Sequence, residues 1–352
     1  MSSLDVLVVG GGISGLAIAH KLASAGLKVE VWEGAERVGG KIQTVVKQGY
    51  QLEQAASMVM NFRSELDQFL HYAGLETHKH LRSPSVARYL AEADHLVKVP
   101  TGIRELLNTP LLSTAGKLRL LAEPLAPSSD KAEESVAEFV SRRLGKEFLD
   151  KVFEPYVAGP LASDASVAEA RAIMPRLIEL EKSYRSLALG AIVRKISHRG
   201  RAARPEVFSF SGGMGTLAHQ LAGTGRFEVR NSMQVSELWP VKDGWMTRAT
   251  GSDGERTVIS RQLVLSTPAP AAATLVEALD AELARQLRGI QYTPISVIHT
   301  GFRRSQLRHR LNGSGFLVPR QSGFSPNGCL WMSSLFNDHA PEDRVLMSTY
   351  LG

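Results

Sequence analysis

Apolar and polar positions follow two rhythms along this chain, and the changes of rhythm mark its organisation. Leu4-Asp5-Val6-Leu7-Val8-Val9 is a short β-rich run stopped by Gly10-Gly11-Gly12. Residues 13–25 then carry apolar side chains at Ile13, Leu16, Ala17, Ala19 and Leu22. That spacing predicts a helix, with Gly26 as its stop. Residues 27–32 form a second β-rich run. Together these make a β-α-β unit of ~30 residues, which implies a parallel sheet. A further amphipathic helix is expected near 63–73, with Leu66, Phe69, Leu70 and Tyr72 apolar, and a hairpin over 86–90 and 96–99 ending at Pro100.

From 101 to 195 the rhythm is helical. Ser135 and Glu138 have capping-box spacing ahead of Val136, Phe139, Val140 and Leu144. Gly145 interrupts, a second helix is expected over 147–157 with its end near Pro155, and 167–191 adds helix broken at Pro175. Residues 194–205, with Arg194, Lys195, His198, Arg199, Arg201 and Arg204, read as an exposed basic loop. Strands are expected over 207–210, 227–229, 235–239, 245–249, 258–260 and 263–266, then a helical stretch over 271–289 and strands over 293–302 and 344–350. The chain thus leaves a sheet domain, builds a second region and returns.

Composition narrows the class. The 352 residues, 43% hydrophobic and 22% charged, have the balance of a globular protein and the length of two domains. One cysteine, Cys329, excludes an intrachain disulfide framework and a zinc site built on several cysteines, and fits a reducing compartment. Apolar stretches such as 6–13 and 271–276 fall short of the ~20 residues a spanning helix needs. Asp5 and the glycines after Val9 do not fit a secretory signal. The chain reads as cytoplasmic, with membrane contact only at a surface. The formal charge is +6. The basic runs, 194–204 and Arg303-Arg304 with Arg308, His309 and Arg310, read either as solvated charge or as an attraction for anionic lipid or carboxylate-rich substrate. Nothing in the pattern points to nucleic acid. His71, His78 and His80 cluster without a carboxylate or cysteine at ligand spacing and read as surface histidines, so no metal site is expected.

The sharpest chemical signal is Gly10-Gly11-Gly12-Ile13-Ser14-Gly15, a GxGxxG placed between strand and helix. Gly10 permits the tight turn, Gly12 lets a diphosphate approach the backbone, and Gly15 lets helix and strand pack closely. The free N–H groups and the positive end of the helix face the phosphates. Glu33 follows about 20 residues on, where a carboxylate accepts from ribose hydroxyls and repels a 2′-phosphate. A second glycine pair, Gly39-Gly40, comes next, flanked by Arg37 and Lys41. It reads as another backbone-exposed turn near the phosphates or as an ordinary loop.

With both motifs in view, residues 9–44 resemble the FAD signature of the flavin amine oxidase superfamily, which includes monoamine oxidases, phytoene desaturases and protoporphyrinogen oxidases. That family usually has Gly-Gly-Arg where this chain has Gly39-Gly40-Lys41. Three further stretches resemble the protoporphyrinogen oxidases: Gly49–Ser57, with Ala55 where glycine is common; Ser135–Glu181, containing Glu154-Pro155-Tyr156-Val157-Ala158-Gly159; and Phe208–Leu217. The resemblance implies an α/β fold, with a discontinuous Rossmann-like FAD-binding domain over 1–80 and 206–270 and an α+β substrate domain over 81–205 and 271–352. It implies FAD bound through Gly10, Gly12, Ile13, Ser14, Gly15, Glu33, Arg37, Gly39, Gly40, Lys41 and the backbone of Val235. It also implies oxidation of a porphyrinogen (protoporphyrinogen IX or coproporphyrinogen III) in heme biosynthesis, with hydride passing to flavin N5 and oxygen or another acceptor restoring the flavin. Catalysis then needs no nucleophile triad, and no catalytic side chain is named. By resemblance Arg88 pairs with a substrate propionate; a solvent-facing edge arginine is the competing reading. Leu106, Leu107, Leu111, Leu112, Leu118, Leu120, Leu121 and Leu125 either pack a core or form a membrane-facing route for substrate. Another amine oxidase or desaturase, or a non-catalytic flavin-fold protein, remain alternatives. Family chains run on past the position of Gly352 into a segment that closes over the flavin, so the resemblance implies either a C-terminal truncation or a divergent member that lacks this segment.

Overall fold

Strand β1 (Leu4–Val9) alternates its side chains between two buried faces, and the fold is assembled on both. In the computed structural model the described residues are 4–83, 87–129, 131, 133–197 and 206–352. The chain divides into two units, Met1–Arg82 with Pro205–Tyr292 and Ser83–Arg204 with Thr293–Gly352.

In the first unit, β1 leads through helix α1 (Ile13–Ser24) to β2 (Val29–Trp32). Late in the chain come β9 (Glu206–Phe210), β10 (Glu228–Arg230), β11 (Gln234–Val241), β12 (Gly244–Gly251) and β13 (Gly254–Leu265). The main sheet has the order β10-β2-β1-β13-β12-β11; its first four strands are parallel, and β12 pairs antiparallel with both β13 and β11. The two runs expected over 258–260 and 263–266 are one strand. The pattern breaks at exposed Arg261-Gln262, but the ladder continues because Ser260 pairs with both Trp245 and Leu4 as β13 passes from one neighbour to the other. Val6 and Val8 face a core shared with α1 and α11 (Gly215–Ala222), with Leu16, Phe208, Phe210 and Leu217. Leu7 and Val9 face the other side with Trp32, Val235 and Leu275. Leu275 comes from α12 (Ala269–Val276), and α13 (Ala281–Arg288) follows. Residues 271–292, expected in the second domain, therefore belong to the first unit, because α12 must cover the apolar face that β1 presents to it.

Within the first unit four short strands were not expected: the hairpin β3 (Thr44–Lys47) and β4 (Tyr50–Glu53), and β5 (Val59–Asn61) and β6 (Lys79–Leu81), which flank β9 in a three-stranded sheet. The amphipathic helix near 63–73 is α2 (Ser64–Tyr72).

The second unit holds a sheet of order β14-β17-β16-β15-β7-β8. Its strands are β7 (Ala87–Glu92), β8 (His95–Lys98), β14 (Ser296–Arg303), β15 (Gly313–Leu317), β16 (Gly328–Trp331) and β17 (Arg344–Leu351). Only the β15–β7 pair is parallel. Val86, expected to open the hairpin, lies outside the described residues. The helices are α3 (Ile103–Asn108), α4 (Thr114–Leu121), α5 (Val136–Leu144), α6 (Lys146–Phe148), α7 (Glu154–Leu161), α8 (Ala170–Ile173), α9 (Pro175–Tyr184), α10 (Leu187–Ser197) and the short α14 (Met332–Leu335). The Ser135–Glu138 capping box forms in full at the start of α5.

The helix expected to end near Pro155 does not. A π-helical turn, Leu149–Phe153, joins α6 to α7, and its wider winding accommodates a proline that an α-helix interior would reject. Residues 194–197, expected in a loop, are the last turn of α10, whose apolar pattern continues through Ile196. His198, Arg199, Arg201 and Arg204 lie outside the described residues. Among the leucines of 104–125, Leu111 and Leu112 are buried and Leu106 and Leu120 pack beside them, whereas Leu118, Leu121 and Leu125 are exposed.

Charge holds these helices together from inside. Buried Arg143 pairs with buried Glu123, which also accepts from Ser186 Oγ (2.6 Å), Leu187 N (2.8 Å) and Ala188 N (3.1 Å). Arg142 bridges Glu134 and Glu181.

Candidate functional site

Val9 pairs with both Trp32 and Leu265, so the carboxyl ends of β1, β2 and β13 stand side by side. The turns beyond them build a cleft of about 780 Å³ within the first unit. Open α/β sheets bind ligands at this edge.

Gly10 leaves β1 with φ +106°, and a Cβ there would lie 2.9 Å from the Ser266 carbonyl carbon and oxygen. Gly12 caps α1 with ordinary backbone angles, and a Cβ on it would meet no atom within 4 Å. That open side belongs to a residue of the cleft wall. The first turn of α1 carries no acidic side chain, and its leading N–H groups have no intrahelical acceptor. The second glycine turn is bound to the first: Gly39 N donates to Gly11 O at 2.8 Å, and Gly12 and Gly39 form an isolated bridge. Glu33 stands over the first turn, with Oε2 accepting from Gly11 N (2.6 Å) and Oε1 from Ala35 N (2.8 Å).

Gly10, Gly12, Ile13, Ser14, Glu33, Gly39, Gly40, Lys41 and Val235 all line this cleft. Gly15 does not; it packs the helix against the turn, where a Cβ would lie 2.0 Å from Gly10 O. Arg37 is not in the lining either. The loop curls so that its guanidinium donates to Val38 O (3.2 Å) and Gly40 O (3.1 Å), which braces the second turn from behind. Lys41 is exposed, with Nζ 5.7 Å from the ring centre of Tyr292. Arg88 belongs to the second unit, on β7, half-buried with its guanidinium carbon over the Tyr156 ring.

The sequence reading missed Ser266, Thr267 and Tyr292, which line the same cleft. The buried hydroxyls of Ser266 and Thr267 have no hydrogen-bond partner. The signal for them was the end of a β-rich run before Pro268, which becomes meaningful only once that run is placed beside β1. Tyr292, whose hydroxyl accepts from Ala269 N at 3.0 Å, carried no local signal. Two polar readings also change. His71 does meet a carboxylate, Glu76 Oε2 at 2.9 Å, because the chain turns back after α2. Arg304, in one of the basic runs, donates to Leu307 O (3.0 Å) and His309 O (2.9 Å) and so holds its own turn.

This cleft suits a flavin dinucleotide. Orphan hydroxyls and free N–H groups provide donors for a diphosphate, Gly12 leaves the space for it, and Glu33 provides an acceptor for ribose hydroxyls.

Residues 13–352 match the model of the family described as flavin containing amine oxidoreductase. The chain is 30% identical to protoporphyrinogen oxidase 2 (chloroplastic/mitochondrial) of Arabidopsis thaliana, a match covering 100% of this chain and 75% of the relative. It is 27% identical to coproporphyrinogen III oxidase of Bacillus subtilis (strain 168), covering 99% of this chain and 77% of the relative. Among solved structures, a protein of Exiguobacterium sp. 255-15 provisionally named protoporphyrinogen oxidase superposes with a TM-score of 0.80 at 21% identity, over 100% of this chain and 77% of that one. A reduced UDP-galactopyranose mutase shares the fold with a TM-score of 0.71 at 16% identity, over 99% of this chain and 74% of that one. The chain belongs to the flavin-containing amine oxidoreductase family and is an FAD-dependent oxidoreductase.

Proposed function

We propose that this protein oxidises a porphyrinogen, protoporphyrinogen IX or coproporphyrinogen III, to the porphyrin in heme biosynthesis. The observation that carries the reading is the cradle made by the two glycine turns, with the open side of Gly12 and the orphan hydroxyls of Ser266 and Thr267. The names of the relatives supply the substrate class. Bound FAD supplies hydride acceptance, with oxygen or another acceptor restoring it.

The residues divide the remaining work. Backbone N–H groups at Ile13 and Ser14 hold the diphosphate, and Gly10, Gly12, Gly39 and Gly40 let it approach. Glu33 orients the ribose through its acceptor oxygens. Lys41 adds a point charge at the rim, without the planar fork an arginine would bring. The Val235 backbone meets the adenine, while Gly15 and Arg37 act by shaping the two turns. The first unit is the FAD domain and the second the substrate domain, where Arg88 receives a propionate in two parallel hydrogen bonds. We place the protein in the cytoplasm with peripheral membrane contact through Leu118, Leu121 and Leu125, which are exposed. Among the described residues no helix is long and apolar enough to cross a membrane.

Purified protein loaded with FAD is mixed with each porphyrinogen and porphyrin fluorescence is followed. The expected result is fluorescence growing faster than the uncatalysed rate with at least one of them. No gain with either would reject the substrate assignment.

A further inference from the structure

We propose that Tyr156 is a positioning residue that holds the Arg88 guanidinium for a substrate carboxylate. The inference rests on the porphyrinogen reading and adds a device by which the substrate site is set.

Three irregularities of the second unit converge on Arg88. The first is a β-bulge. In the parallel β15–β7 ladder, Gly313 pairs with Ala87 and Gly315 with Arg88, so Ser314 is one residue too many opposite β7. Ser314 is buried, and its hydroxyl donates to Ala87 O at 3.3 Å. Gly315 has φ +128°, and a Cβ there would lie 1.9 Å from Cys329 O, so this backbone accepts only glycine. A bulge bends its strand and re-aims the side chains beside it.

The second irregularity is the π-turn Leu149–Phe153, which resets the rotation of α7 and thus of Tyr156. Helix α7 carries Pro155, Gly159 and Pro160, a poor composition for a free helix, and is seated from outside. Asn327 Nδ2 donates to Ala158 O at 3.1 Å. Leu317 of β15 lies so close that a Cβ on Gly159 would approach its Cδ2 to 2.5 Å. The strand that bulges opposite Arg88 therefore also seats the helix that bears Tyr156.

The third is the contact itself. The Arg88 guanidinium carbon lies 5.4 Å from the Tyr156 ring centre. Among the described residues, no carboxylate pairs with Arg88. Attraction to an aromatic face holds a guanidinium without the help of a carboxylate, and the planar N–H fork of an arginine matches one. A structural arginine of this kind would be expected to have an acidic partner; Arg142 and Arg143 each have theirs.

The test measures binding of protoporphyrin IX, and of its dimethyl ester, to FAD-loaded wild type, Arg88→Ala, Tyr156→Leu, Tyr156→Phe and the Arg88→Ala/Tyr156→Leu double variant. Tyr156→Met replaces Tyr156→Leu if the latter fails to fold. Expected is a loss on the order of 5-fold for the diacid in Tyr156→Leu, recovery to within about 2-fold in Tyr156→Phe, and no further loss in the double variant beyond Arg88→Ala. Ester binding should be the same in all. Wild-type diacid binding by Tyr156→Leu, with Arg88→Ala weakened, overturns the role of Tyr156 alone. Equal loss for diacid and ester in Tyr156→Leu marks a merely structural residue and also overturns it. Undiminished diacid binding in Arg88→Ala, or none by wild type, overturns the carboxylate reading of Arg88 and the proposal with it.

Discussion

Gly12 and Gly15 sit in one motif and fail differently. A Cβ on Gly12 projects into open space, so Gly12→Ala should leave the melting temperature of the FAD-free protein unchanged. FAD affinity, read by flavin fluorescence, should fall on the order of tenfold or more, because the methyl occupies the phosphate approach. A Cβ on Gly15 strikes Gly10 O at 2.0 Å, so Gly15→Ala should destabilise the fold by about 1–3 kcal/mol even without FAD, as a denaturant melt would show. The glycines and Glu33 were legible because their chemistry is local: a turn, a helix start and an acid one strand later. Ser266 and Thr267 were not, because a parallel ladder brings them to Gly10 from a distant part of the chain. The placement of Arg37 was not legible for the opposite reason. Its charge suggested phosphate, but its nearest acceptors are the carbonyls of its own loop.

Among the elements, the helical region contains two glutamates, buried Glu123 and half-buried Glu154, pulled in opposite directions. Burial pushes Glu123 up, but hydrogen bonds from Ser186, Leu187, Ala188 and Arg143 outweigh it and hold the carboxyl below its usual range. Burial pushes Glu154 up and outweighs the opposing pull of Arg320, whose Nε lies 2.7 Å from Oε1. For Glu123 the folded form is the stronger acid, so its contribution is present above pH 4.5 and lost as pH falls through the depressed value. For Glu154 the cost of ionisation appears as pH rises from 4.5 through the raised value. Glu123→Gln should therefore lose up to about 3–5 kcal/mol at pH 7.5, since buried Arg143 then keeps only the longer contact to Glu181, at 3.5 Å. Glu154→Gln should match or exceed the wild-type melting temperature at pH 7.5, and the difference should vanish at pH 4. Thermal melts of both variants across this range check the two signs. The Ser135 capping box and the β7–β8 hairpin were legible because caps and alternation are written in adjacent residues. The passage through Pro155 was not: proline normally ends a helix, and the π-turn that precedes it here has no mark in the residue pattern.

For the whole molecule, discontinuity was the readable feature, since the order βαβ, helices, strands requires the chain to return to its first sheet. The boundary near 271 was not readable, because the pattern of α12 is equally apolar whichever sheet it covers. The exposed Leu118, Leu121 and Leu125 carry the membrane proposal. Replacing all three by serine should lower co-sedimentation with anionic vesicles several-fold while leaving FAD content and melting temperature unchanged. The central claim joins the glycine cleft to porphyrinogen chemistry, and anaerobic single-turnover mixing tests it most directly. FAD-loaded protein is mixed with protoporphyrinogen IX, and separately with coproporphyrinogen III, without oxygen. The account predicts bleaching of the oxidised flavin band by at least one of them, together with loss of the porphyrinogen. A flavin band that stays unchanged with both, in protein that retains its FAD, would contradict it.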